Sequence, residues 1–183
     1  MWGCGAACLT FEVWDFATPV EIRASPFKLM KFIKYGEKEL GLADSSMKEI
    51  KKLLSHVRCK LIGSIAIPMI GKEEIDILVV SNKFKSDFMK LIELGYKGNM
   101  LTNRAYLHKK SDNILIEIHL MKPSDKMIKL YDKYIDILRK DGKLKKKYEK
   151  FKLSSVNLSS KEYKLRKADF IGEYILNYSN RTI

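Results

Sequence analysis

The sequence predicts an α+β fold, and three observations predict it. Helical apolar spacing runs through the stretch after Pro26. Two strand-length segments of strict alternation, EIDILVV and ILIEIHLM, occupy the middle. From Ser124 helical spacing returns, with breaks at Gly142 and at NLSS. Helices, then a short mixed sheet, then helices is the order of an α+β domain.

The elements follow in order. Pro26 suits a first helical turn, and Phe27, Met30, Ile33 and Lys34 keep helical spacing behind it. A second helix is expected over DSSMKEIKKLLSHVR, with Asp44 or Ser45 as N-cap and Met47, Ile50, Leu53, Leu54 and Val57 as its apolar stripe. CKLIGSIAI reads as a strand that breaks at Gly63, and EIDILVV as the next. KFKSDFMKLIELGY is a helix with Phe84, Phe88, Leu91 and Ile92 inward, ending near Gly95. AYLHKK and ILIEIHLM form a hairpin around a three-residue loop, Ser111–Asn113. The helical spans that follow are 124–140, 143–153 and 159–179. Residues 26–183 make one domain that includes these C-terminal helices. Residues 1–25 are a separate arm, with both tryptophans, two of the three cysteines and no lysine.

Composition bounds the class. Apolar residues make up 46% of the 183, enough for a core. No apolar run reaches the roughly 18–20 residues of a membrane span, so no membrane partner is expected. The N-terminus has no basic region of a secretory signal, and three cysteines, Cys4, Cys8 and Cys59, make no disulfide framework. A reduced, cytoplasmic protein is expected. Cys4 and Cys8 lack nearby residues to complete a four-ligand zinc site. Net charge is +13, and residues 1–25 hold three acids against Arg23, so the rest carries +15. Residues 121–183 hold 17 Lys/Arg against 8 Asp/Glu, an excess that favours anionic partners such as nucleotides or RNA, or simply solvates the surface.

Strand alternation places the acids. In EIDILVV, Ile75, Ile77 and Val79 share one face, and Glu74 and Asp76 the other. In ILIEIHLM, Ile114, Ile116, Ile118 and Leu120 oppose Leu115, Glu117, His119 and Met121. With both aliphatic rows on one core, Glu74, Asp76, Glu117 and His119 project together from the other surface. Alternation alone favours a solvated sheet face. Gly63-Ser64, 11 and 13 residues before the two acids (74 − 63 and 76 − 63), adds a turn whose hydroxyl and N–H groups suit a phosphate. Clustered carboxylates beside a phosphate suit Mg²⁺ or Mn²⁺. His56 and His108 lack ligand partners in the sequence. The aromatic series Tyr131, Tyr134, Tyr148, Phe151, Tyr163, Phe170, Tyr174 and Tyr178 has helical spacing and reads as core rather than a base-stacking platform.

LIGSIAIPMIGKEEIDILVV (61–80), LIELGY (91–96), NRAYLHKK, EIHL (117–120), YIDILRKDGKLKKKYEKFK and KEYKLRKADFIGEYI occur in the order of corresponding segments of the GrpB family. The chain resembles that family over roughly residues 45–176. The resemblance implies a nucleotidyltransferase-like fold of the polymerase-beta type. It implies phosphate contacts at Gly63, Ser64, Lys72, Arg139 and Lys167, and a metal carboxylate at Asp76. His119 matches the second histidine of a family pair, and Arg104 is an accessory position. The chain departs from the family where Glu117 replaces the first histidine, and from the wider superfamily where Glu74 replaces the first of two aspartates.

The reaction expected is metal-dependent transfer of a nucleotidyl group from an NTP, with Glu74, Asp76 and Glu117 on Mg²⁺ or Mn²⁺. The alternative is a non-catalytic module that binds nucleotide or RNA. Asp76→Asn is expected to abolish metal-dependent binding and, by relieving repulsion among carboxylates, to stabilise the metal-free fold. In KLKKKYEKFK, Leu144, Tyr148 and Phe151 turn inward and leave Lys143, Lys146, Lys147 and Lys150 outward, a surface suited to RNA.

Overall fold

The computed structural model describes residues 30–178, so the arm over residues 1–25, with Cys4 and Cys8, lies outside the described residues. The described residues open with a short strand, β1 (Phe32–Ile33), antiparallel to β3 (Gly71–Lys72). Helix α1 (Glu37–Leu53) follows β1, and β2 (Arg58–Leu61) precedes β3. Then come β4 (Glu74–Val80), α2 (Phe84–Glu93), β5 (Lys97–Met100), β6 (Arg104–Ser111) and β7 (Ile114–Met121). Three helices close the described chain: α3 (Met127–Lys140), α4 (Gly142–Ser154) and α5 (Ser160–Ile171), the last running into a π-helical turn, Gly172–Leu176.

The main sheet has the order β2-β4-β7-β6-β5, with β4 and β7 parallel and every other pair antiparallel. Its two central strands are buried on both faces, as a parallel pair requires. On one face Ile75, Ile77 and Val79 of β4 and Ile116 and Ile118 of β7 meet Ala43 and Ile50 of α1 and Phe84 and Leu91 of α2. On the other, Leu78, Val80 and Met121 meet Tyr131 and Leu138 of α3, Tyr148 of α4 and Phe170 of α5. Each fully buried aliphatic side chain contributes about 1.5–3 kcal/mol. The acid-bearing face is therefore not solvated. Its C-terminal half is core, and its N-terminal half lies beneath helices. Among the described residues, no helix is long and apolar enough to cross a membrane.

Several boundaries depart from the sequence reading. One helix, α1, takes in Glu37–Leu40 at the end of the first helical region and runs through the second as far as Leu53. It starts at Gly36, whose N–H is capped by the Glu39 carboxylate at 2.8 Å. The proposed caps Asp44 and Ser45 lie inside it, and Ser45 and Ser46 donate back to the Leu42 carbonyl at 2.9 and 2.8 Å. Phe32 and Ile33, read as helical, are a strand because Gly71 and Lys72 offer them a ladder. The hairpin turn is two residues, not three: Ser111 pairs with Ile114, and Asp112 and Asn113 take φ of 48° and 67°. That is the left-handed pair a two-residue hairpin needs, which Asp and Asn tolerate. Strand β5 has no alternation to betray it, being KGNM on the sheet edge.

Candidate functional site

Parallel pairing of β4 with β7 sets Asp76 directly opposite Glu117, and Leu78 opposite His119. Asp76, Glu117 and His119 thus share a face, and each offers a ligand atom such that all three lie within 4.8 Å of one another. The His119 ring is held from two sides. Tyr106 and Tyr131 meet it edge-on with centroids 5.1 and 5.5 Å away, and its Nδ1 lies 2.8 Å from the Tyr131 hydroxyl. Its Nε2 is buried without a hydrogen-bond partner, 3.6 Å from Asp76 Oδ1, which is an ion-pair distance rather than a hydrogen bond.

Gly63 closes over this cluster. It has φ of 64°, and a Cβ there would lie 2.0 Å from Asp76 Oδ2, so the turn's backbone packs directly on the carboxylate. Ser64 follows, and its Oγ accepts from Lys152 Nζ at 2.5 Å while the same ammonium donates to the Ile70 carbonyl at 2.7 Å. A Cβ on Gly71 would meet the Tyr35 hydroxyl at 2.2 Å and Ser64 Cβ at 2.6 Å, so Gly71 lets three segments converge. A cavity of about 560 Å³ opens beside them. Gly63, Ser64, Lys72, Glu74, Asp76 and His119 line it from the sheet side, and Lys152, Tyr163 and Lys167 from the helices. Met127, Leu130, Ile171 and the π-helical Ile175 and Leu176 form an apolar wall.

The electrostatics are those of opposed charges under one roof. Burial works against the Asp76 charge, but the contact with His119 and the charges of His119, Lys167 and Lys72 outweigh it and hold the carboxyl below its ordinary value. Burial, then the charges of Asp76 and Glu74, push the Glu117 carboxyl up to about 7. His119 is raised: burial disfavours its charge, and Asp76 and Glu117 overcome that. Lys152 is pushed down to about 7 by burial and by Lys167.

These shifts predict a pH profile. Glu117 titrates higher in the folded than in the unfolded chain, so its contribution is complete below pH 4.5 and is lost as pH rises to about 7. Lys152 titrates lower when folded, so its contribution is complete above 10.5 and is lost as pH falls to about 7. These two contributions together pass through a minimum near neutrality, and the raised His119 adds to the fall above pH 6.5. Urea midpoints at pH 5, 7 and 9 check this. Glu117→Gln should remove the fall between pH 5 and 7, and Lys152→Met the rise between 7 and 9.

The residues read from sequence are not all here. Glu74 lines the cavity but stands outside the cluster, with Oε1 3.7 Å from Lys72 Nζ. The group whose ligand atoms lie within 4.8 Å of one another is Asp76, Glu117 and His119, with an imidazole in it and without the expected Glu74. Arg139 does not reach the cavity; its Nε donates to the Ala66 carbonyl at 3.0 Å and braces the loop after Ser64. Arg104 is bound to Asp125 through Nε at 3.0 Å. His56 lies 2.9 Å from the buried Asp87 carboxylate, a structural pair. The aromatic series is core, as Tyr148, Phe151 and Phe170 stack within the second apolar cluster. Lys143, Lys146, Lys147 and Lys150 are exposed. Sequence reasoning missed Lys152, Tyr131 and Tyr35. The signal for Lys152 was present: it stands four residues after Tyr148 and eight after Leu144, on the apolar stripe of its helix.

Comparison with known proteins bears on this geometry. The family described as GrpB protein matches residues 39–176. The crystal structure of the conserved protein GrpB from Enterococcus faecalis is similar in fold, with a TM-score of 0.67 and 18% identity over 81% of this chain and 99% of that one. A cytoplasmic RNA terminal U-transferase matches with a TM-score of 0.44 and 15% identity over 62% of this chain and 38% of its own. Cid1 in complex with the UTP analogue UMPNPP matches with 0.43 and 15% over 61% and 37%. No curated protein matches the sequence.

Proposed function

Because the chain belongs to the GrpB family, whose fold is nucleotidyltransferase-like, we propose that its cavity binds a nucleoside triphosphate and that a nucleotidyl group passes from it to a hydroxyl acceptor. One observation carries the reading: Ser64 and three lysines, Lys72, Lys152 and Lys167, share a cavity with Asp76 and an apolar wall. Cations and a hydroxyl on one side of a carboxylate suit phosphates, and the apolar wall suits a nucleoside. Lys152, already at hydrogen-bond distance from Ser64 Oγ, would turn with that hydroxyl toward the phosphates. Lys72 and Lys167 would offset charge on the transferring phosphoryl. The acceptor oxygen forms a new bond to the α-phosphorus, the α–β bridging bond breaks, and pyrophosphate leaves. Glu74, the cavity carboxylate outside the cluster, receives the acceptor's proton. A divalent cation at Asp76, Glu117 and His119 would supply charge neutralisation.

The second reading, a module that binds nucleotide or RNA without turnover, is favoured by Glu74 standing apart from the cluster. An NTP panel with Mg²⁺ or Mn²⁺, followed by thermal shift and pyrophosphate release, separates the two. Binding with release supports transfer, binding without release supports a nucleotide-binding module, and no NTP binding sinks transfer and leaves only a module that binds RNA.

RNA is the acceptor we favour, guided by the exposed lysines of α4. A shallow notch lined by Lys140, Lys143, Lys145, Lys146 and Tyr178 extends that surface. Reversing Lys146, Lys147 and Lys150 to Glu should weaken single-stranded RNA binding and flatten its log–log salt slope by about 2, at about 0.7 per phosphate contact. NTP binding should stay unchanged. An unaltered slope would return α4 to a solvated surface.

A further inference from the structure

The three side chains that converge are two carboxylates and an imidazole, and that donor set is not the one a magnesium enzyme builds. Mg²⁺ is bound by oxygen, keeps several waters and dehydrates reluctantly. Imidazole suits the later first-row ions, and carboxylate extends the range to Mn²⁺. We propose that Asp76, Glu117 and His119 form a single-ion site for a divalent first-row transition metal, Mn²⁺ through Zn²⁺, and that it discriminates against Mg²⁺.

Four observations carry this. His119 Nε2 is buried, has no hydrogen-bond partner and lies on the side of the ring that faces the two carboxylates. Its other nitrogen is already engaged, 2.8 Å from the Tyr131 hydroxyl. With Nδ1–H donated to that oxygen, the neutral ring would leave Nε2 a lone pair for an ion, the outer-shell arrangement metal-binding histidines use. The ring packs edge-on against both Tyr106 and Tyr131, contacts that favour this orientation. The spacing also suits one ion. Ligand atoms about 2.1 Å from a shared metal lie roughly 3.0–3.4 Å apart. Asp76 Oδ1 and His119 Nε2 are already 3.6 Å apart, and no pair in the group exceeds 4.8 Å. Three protein ligands leave coordination positions for a phosphate oxygen arriving from the Ser64 side.

The inference rests on the proposed site but not on its nucleotide, and the experiment keeps them apart. The full chain, stripped with chelator, is titrated calorimetrically with Mn²⁺, Co²⁺, Zn²⁺ and Mg²⁺, without nucleotide, and the cobalt form is read by its visible absorption. One transition ion per chain should bind and raise Tm, with Mg²⁺ silent at a hundredfold higher concentration. His119→Gln should weaken binding at least a hundredfold. Tyr131→Phe, which removes only the hydroxyl and serves if the buried histidine proves essential to folding, should weaken it about tenfold. Glu74→Gln, which removes a nearby charge but no proposed ligand, should weaken it far less than His119→Gln. The proposal is overturned if Mg²⁺ binds as well as Mn²⁺, if Glu74→Gln abolishes binding while folded His119→Gln retains it, or if no ion binds. Metal binding with no NTP binding would instead remove the nucleotidyl-transfer reading and leave this site standing.

Discussion

Gly63→Ala should destabilise the chain by about 3 kcal/mol, lower Tm by roughly 6–12 °C and abolish ligand binding. Two separate costs combine. At φ of 64° a side chain costs about 1–2 kcal/mol in a left-handed conformation. The added Cβ also falls 2.0 Å from Asp76 Oδ2 and 2.9 Å from the carboxyl carbon, so Asp76 or the turn must move. Either movement separates Ser64 from the cluster. The control is Gly41→Ala in α1, where an added Cβ meets nothing within 4 Å. There the change should raise stability by about 0.5–1 kcal/mol through lower backbone entropy in the unfolded chain. Paired melts of the two variants check the claim, and equal effects would refute it.

Asp76→Asn should remove metal and nucleotide binding and should also destabilise the ligand-free chain, by about 3 kcal/mol at neutral pH. The sequence reading expected stabilisation, counting only the neighbouring carboxylates. The fold brings cations too: His119 stands 3.6 Å away, and Lys72 and Lys167 add to its field. Removing the carboxylate takes away the anion nearest His119 and weakens the field that also holds the partly buried Lys72 and Lys167. The sign can be checked by pH. Asp76 titrates below its ordinary 3.8 when folded, so its contribution is present above that value and is lost as pH falls through the depressed one. The gap between wild type and variant in urea midpoint should therefore narrow toward pH 3. A variant as stable as wild type at neutral pH would mean that repulsion among the acids dominates after all.

What could be read from the sequence follows from which interactions are periodic. β4 and β7 were legible because alternation records two apolar layers, and the same alternation put Asp76, Glu117 and His119 on one face. α2 was legible from its inward Phe84, Phe88 and Leu91 and from Gly95, whose φ of 92° ends it. β1, β3 and β5 were not, being two to four residues long. A period needs several repeats, and their pairing is set by partners distant in sequence. Which of Glu74 and His119 joins Asp76 and Glu117 in the group whose ligand atoms lie within 4.8 Å was also hidden. Both lie two residues from a cluster member on the correct face, and rotamer and the Tyr131 hydroxyl decide between them. Lys152 was missed for another reason: it stands on the apolar stripe with Leu144 and Tyr148, but a lysine there reads as solvated, and it is buried because the helix packs closely at that turn.

The two apolar layers touch opposite faces of one sheet and belong to different stretches of chain. The layer formed by α1 and α2 is complete by residue 120, and the layer above the site adds the helices that follow Met121. The floor of the cavity is thus built into the sheet, whereas Lys152, Lys167 and the π-helical turn form a roof laid over it. A roof of this kind can breathe while its floor stays shut: opening of α4 and α5 exposes the second layer and leaves the first intact. Ligand exchange would then follow the opening of α4 and α5, while β4 and β7, the strands that carry Asp76, Glu117 and His119, stay held by the first layer.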